Sequence, residues 1–86
     1  MSKIEKLILK LLAGNADQNF DFNDLLRILE YTGFHARIKG SHHIFTKENV
    51  EEIINLQPKG SKAKPYQVKQ VRELLLKYKF IPNVGL

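Results

Sequence analysis

Apolar residues recur at helical spacing along the start of the chain. Ile4, Leu7, Ile8, Leu11 and Leu12 follow i, i+3, i+4, i+7 and i+8, the one-sided stripe of an amphipathic helix. Ser2 and Glu5 stand at the two positions of a capping box, and Gly14-Asn15 can close the helix. Asn15 to Asn19 is a polar connector. Asp21 is a good N-cap for a second helix with Phe22, Leu25, Leu26 and Leu29 on its buried face, and Gly33 fits the left-handed residue that ends it. The period then drops to two. Phe34, Ala36 and Ile38 alternate with His35, Arg37 and Lys39, which predicts a strand with the first set toward the core and the second toward water or a ligand. Gly40-Ser41 reads as a turn, and His42 to Thr46 as a second strand in a hairpin with the first. Lys47-Glu48-Asn49 is another turn. A third strand is expected near Val50 to Leu56, with Ile53 and Ile54 its surest apolar positions. Gln57 to Pro65 is a basic loop rich in Gly, Ser and Pro. Pro65 suits the opening of a last helix faced by Val68, Val71, Leu75 and Tyr78, with Leu74 beside them and Lys77 and Lys79 at the negative end of its dipole. Ile81 to Leu86 reads as a loose tail. The order α-α-β-β-β-α argues for the α+β class, a three-stranded antiparallel sheet with helices on one face.

Size and charge narrow the function. With 86 residues the chain is long enough for one domain, 1–86, burying roughly 60–65% of its unfolded surface. Such a thin core favours a shallow surface site over a deep enclosed one. There is no cysteine, which excludes disulfide frameworks and thiolate metal sites and is compatible with a cytoplasmic location. No apolar run is long enough to span a membrane, and residues 1–12 lack the continuous apolar block of a signal peptide. The net charge of +5 is uneven: residues 1–34 carry four Lys/Arg and five Asp/Glu, residues 35–86 ten and four. Five basic residues and no acid lie between Gln57 and Arg72. That asymmetry favours a polyanionic partner, of which nucleic acid is the usual one.

Gly40-Ser41-His42-His43-Ile44-Phe45 is the most informative segment. Neighbours on a strand point to opposite faces, so His42 and His43 cannot easily share one site. One looks into a packed environment and the other outward; the alternation does not say which. Metal binding is weakly supported, because His35 and His42 can approach across the hairpin but no third ligand is indicated. Metal-free RNA cleavage needs less: a base for the 2′-hydroxyl proton, and cations for the charge that develops on phosphate. Gly40 lets the backbone come close to a phosphate, and Ser41 adds a hydroxyl and an N–H. Arg37 and Lys39 share the polar face of the first strand, and Lys59, Lys62, Lys64 and Lys69 can hold flanking phosphates. Tyr66 is the one aromatic residue placed for base stacking. A simpler alternative is an RNA-binding module in which the basic residues bind by shape and charge and the histidines are incidental.

Leu29 through Gly33-Phe34, Arg37 to Phe45, Asn55-Leu56-Gln57-Pro58 and the helix around Val68 to Leu75 together resemble the HicA-type toxin family. These are small mRNA-cleaving ribonucleases of bacterial toxin–antitoxin pairs. The resemblance covers about residues 22–80, within a 20–80 core, and leaves residues 1–14 as an additional helix. It implies a double-stranded-RNA-binding-like fold, a metal-independent endoribonuclease without a cofactor, mRNA as substrate, and a HicB-type antitoxin that masks the site. The family's catalytic histidine directly follows Gly-Ser, so the resemblance implies that His42 is catalytic and that His43 lies on the other side. Many members have a second histidine soon after the proline that follows the third strand. Here Pro58 is followed by Lys59-Gly60-Ser61-Lys62, so Lys59 or Lys62 would have to assist.

Overall fold

A computed structural model describes residues 2–80. Helix α1 spans Lys3–Ala13, α2 Phe22–Tyr31 and α3 Pro65–Lys77; strands β1 His35–Lys39, β2 His42–Thr46 and β3 Ile54–Leu56 form one antiparallel sheet in the order β1-β2-β3. The architecture is α+β, with the element order α-α-β-β-β-α that the hydrophobic pattern predicts.

The helix ends are built by local chemistry. Ser2 Oγ accepts the Glu5 N–H, and Glu5 Oε1 accepts the Ser2 N–H, which completes the capping box of α1. Asp21 Oδ1 accepts the Asp24 N–H at the start of α2. Gly33, at φ +97°, ends α2: its N–H reaches the Glu30 carbonyl, and that of Phe34 reaches Leu29. This paired bonding requires a left-handed residue at that position.

One core joins the elements. Ile8 and Leu11 of α1, Phe22, Leu25, Ile28 and Leu29 of α2, Phe45, Ile54 and Leu56 of the sheet, and Val68, Val71, Leu74 and Leu75 of α3 are all buried together. Helix α1 thus contributes to the common core rather than standing apart from it. Arg72 of α3 fastens it further: its guanidinium donates to the Leu11 carbonyl at 3.2 Å and to both carboxylate oxygens of Asp17 at 2.8 and 3.0 Å. Asp17 sits in a 3-10 turn, Asp17–Asn19, so the polar connector is a clasp rather than a plain linker.

Three expectations are corrected or refined. Ala36 and Ile38 do not reach the core: every residue of β1 is exposed, Ile38 by 65%. β1 is an edge strand, and the buried residues of the sheet belong to β2 and β3 alone, so the alternation is present but its apolar side lies beyond the helical layer. The third strand is shorter than Val50 to Leu56, and Ile53 is 63% exposed while its neighbour Ile54 is fully buried. Adjacent strand positions face opposite ways, so only one of the two could be core. The basic loop is an ordered hairpin: Lys59 and Lys62 exchange backbone hydrogen bonds of 2.8 and 3.1 Å. It is sewn to the start of α2 by Phe22 N–H to the Ser61 carbonyl and Ala63 N–H to that of Phe20. At the C-terminal end of α3 the last turn carries Lys77, and Lys79 follows just past it in a left-handed conformation (φ +57°). The tail expected at Ile81 to Leu86 lies outside the described residues.

Candidate active site

The antiparallel register decides which side chains share the open face of the sheet. Lys39 pairs with His42, Arg37 with Ile44, and Ile44 with Asn55. Paired residues project to the same side, so Arg37, Lys39, His42 and Asn55 stand together on the face without helices. Phe45 and His43 project to the helical side. His43 is half-buried there, its ring edge-on to Phe22 with centroids 5.1 Å apart, and its Nδ1 is buried with no hydrogen-bond partner among the described residues. His42 is exposed.

A network of amides fixes the surroundings of His42. Its Nδ1 lies 3.0 Å from Asn55 Oδ1. An amide oxygen can only accept, so in this hydrogen bond Nδ1 carries the proton, and the neutral imidazole presents a bare Nε2. Gln57 Nε2 donates to Ser41 Oγ at 3.2 Å and ties the β1–β2 turn to the end of β3. Gly40 in that turn has φ +61° and open space around it, so glycine is required there by backbone conformation and not by crowding. Gln67, only 3% exposed, clasps the outer edge of β3: its Nε2 donates to the Asn55 carbonyl at 3.3 Å, and its Oε1 accepts the Gln57 N–H at 3.4 Å. A side-chain amide here does what a fourth strand would do for an edge.

His42, Asn55, Gln57, Tyr66 and Gln67 line a shallow hollow of about 190 Å³. Tyr66 is 64% exposed on its rim. Lys59, Lys62 and Lys64 are not among the lining residues: the first two lie on the exposed hairpin, and Lys64 is half-buried as the residue that precedes Pro65. Two other hollows occur, about 210 Å³ beside Glu52 and Lys77 and about 490 Å³ between α1 and α2, and neither contains a histidine. Among the described residues no three His, Asp or Glu side chains converge as a metal site requires, and no helix is long and apolar enough to cross a membrane.

Asn55, Gln57 and Gln67 were not singled out as site residues by the sequence pattern. The pattern carries a signal for two of them, Asn55 and Gln67. Asn55 interrupts an apolar pair, Ile54 and Leu56, on the solvent side of the strand. Gln67 falls in line with Val71, Leu74 and Leu75 on the buried stripe of α3, and a polar residue in such a stripe calls for a specific partner.

No match was found among curated proteins or among solved structures. A family model described as HicA toxin of bacterial toxin–antitoxin matches residues 22–77, from the first residue of α2 to the last of α3. That span is well over half of the chain and contains His42 and every residue lining its hollow, so the chain belongs to the HicA toxin family.

Proposed function

We propose that this toxin-family protein is a metal-independent endoribonuclease that cleaves mRNA in the cytoplasm and is held in check by a HicB-type antitoxin covering the open face of the sheet. The observation that carries the reading is the exposed His42, oriented by Asn55 with Nε2 free and flanked on the same face by Lys39 and Arg37. In this mechanism Nε2 takes the proton of a ribose 2′-hydroxyl. The 2′ oxygen then bonds to the adjacent phosphorus, the bond from phosphorus to the 5′ oxygen breaks, that oxygen takes a proton from water, and the His42 imidazolium returns its proton to the hydroxide so formed. The products are a 2′,3′-cyclic phosphate and a 5′-hydroxyl. Asn55 stabilises the imidazolium that forms, much as an orienting group does in other histidine-based sites. Arg37 and Lys39 offset the charge that builds on the phosphate, and Gly40 and Ser41 shape the turn beneath it. Lys59, Lys62 and Lys64 hold phosphates further along the strand and set a salt-dependent affinity.

The purified protein is expected to cut RNA in the presence of EDTA. His42→Ala is expected to lose about 10²–10⁴-fold in rate while keeping its circular dichroism spectrum and most of its RNA affinity. A His42→Ala protein that cuts as fast as the parent would refute the assignment. Salt-dependent RNA binding without turnover by the parent would instead indicate an RNA-binding module.

A further inference from the structure

We infer that Tyr66, with the Asn55 and Gln57 amides, forms a subsite for one unpaired nucleobase beside the phosphate that His42 addresses. The inference rests on the ribonuclease reading in placing RNA on this face.

Tyr66 is a large aromatic side chain left 64% exposed in the first turn of α3, where it contributes nothing to the buried core. Its backbone is nonetheless tightly held. Pro65 fixes φ on one side, and on the other the buried Gln67 amide locks the helix start to the edge of β3 through Asn55 and Gln57. An exposed aromatic ring carried on a fixed stretch of backbone suits a stacking platform, and every base offers it a π-face. The ring shares its hollow with His42, so a stacked base would sit next to the reacting sugar-phosphate.

The hollow measures about 190 Å³, below the roughly 300–1,000 Å³ typical of whole-ligand pockets. That suits a planar ring rather than an entire nucleotide. Its polar groups are also disposed for a base. Asn55 uses Oδ1 on His42, and Gln57 uses Nε2 on Ser41. Asn55 Nδ2 and Gln57 Oε1 are left without side-chain partners among the described residues, one a donor and one an acceptor, the complement of a nucleobase edge. Bases in a duplex are stacked and paired and cannot enter, so the subsite selects unpaired RNA.

The test is fluorescence titration of an unstructured single-stranded RNA, and of an abasic ribose-phosphate oligomer of equal length, in a His42→Ala background that prevents cleavage. Adding Tyr66→Ala is expected to weaken binding of the base-bearing RNA roughly 5- to 150-fold and to leave the abasic oligomer unchanged, while Tyr66→Phe retains affinity. Equal weakening on both oligomers, or none on either, overturns the subsite; so does loss of antitoxin binding with RNA binding intact, which would make Tyr66 a protein contact. Cleavage by the otherwise unaltered protein is scored separately. A base-dependent Tyr66 effect in a protein that does not cut refutes the ribonuclease reading and leaves the subsite standing. Cutting with an unchanged KM in Tyr66→Ala refutes the subsite alone. Failure to bind either oligomer refutes both.

Discussion

The two faces of β2 differ in what they are built to do, although their residues alternate along five positions. On the helical side, His43 and Phe45 meet α2 and the core: Phe45 is fully buried and His43 packs edge-on against Phe22. On the open side, His42 and Ile44 meet Lys39, Arg37 and Asn55 across the sheet, and His42 is in water. Both histidines have the same intrinsic chemistry. In the proposed mechanism only the exposed one, whose Nδ1 is occupied by an amide oxygen, accepts a substrate's proton. The other has a buried nitrogen with nothing to bond among the described residues. A polar atom on the closed side lowers stability, and the same atom on the open side is available for chemistry.

The largest expected effect separates the faces by stability. Phe45→Ala removes a fully buried ring at the centre of the core and is expected to cost about 3–5 kcal/mol, a large share of the roughly 5–15 kcal/mol available to a domain. Ile44→Ala, one position along on the open face, is expected to cost less, about 1–2 kcal/mol, because this half-buried side chain keeps part of its surface in water. Urea midpoints of the two variants measure the difference. Equal losses would mean that the sheet is packed on both sides and that the open face is not free for a ligand.

How much of this was legible beforehand follows from where each signal lies. Helices α1, α2 and α3 were readable because their apolar stripes and caps are local, as in the Ser2–Glu5 box and Gly33. The hairpin of β1 and β2 was readable from alternation around Gly40-Ser41. What alternation cannot supply is which side a second layer covers. It left His42 and His43 undecided, and it sent Ile38 to a core that does not extend to the edge strand. The clasp of Gln67 on Asn55 and Gln57, and that of Arg72 on Asp17, join residues 10 or more positions apart. No local pattern encodes such pairs. Only a polar residue in an apolar stripe, such as Gln67, hints at them.

An acid titration sharpens the comparison by acting on the ion pairs of the helical layer rather than on the open face. The Arg72 guanidinium donates to Asp17 and holds its carboxyl below the usual range, against the opposing effect of partial burial. A lowered folded pKa means that the unfolded chain binds more protons as pH falls. This contribution is therefore fully present above the unfolded value near 3.9 and is lost as pH drops through the folded value. Glu52, hydrogen-bonded by Lys77 and Tyr78 and lowered to about 2, acts in the same direction over the same acid range. Asp17→Asn is expected to cost about 1–3 kcal/mol at pH 7 and to flatten the fall in stability between roughly pH 5 and pH 2. Thermal midpoints measured across that range test it. An unchanged slope would mean that the clasp holding α1 to α3 does not depend on charge.

The smallest effect is the most discriminating, because its sign is opposite to that of an ordinary core substitution. His43→Phe keeps a planar ring of similar shape against Phe22 and removes the buried, unpartnered Nδ1. Leaving such an atom unpaired costs about 1–3 kcal/mol, and an edge-on aromatic pair adds about 0.5–1.5 kcal/mol beyond burial. Overpacking by the larger ring subtracts from that gain, so the expected net is a stabilisation of about 1 kcal/mol, or roughly 4–8 °C in Tm for a chain of this size. RNA cleavage is expected to stay within about threefold of the parent, since the altered ring lies on the face away from Lys39, Arg37 and Asn55. A variant that is more stable but no longer cuts would place His43 in the chemistry, and the division between the two faces would fail at the residue that defines it. A variant that is destabilised would show that His43 Nδ1 has a partner in solution, and the closed face would then be wetter than its packing implies.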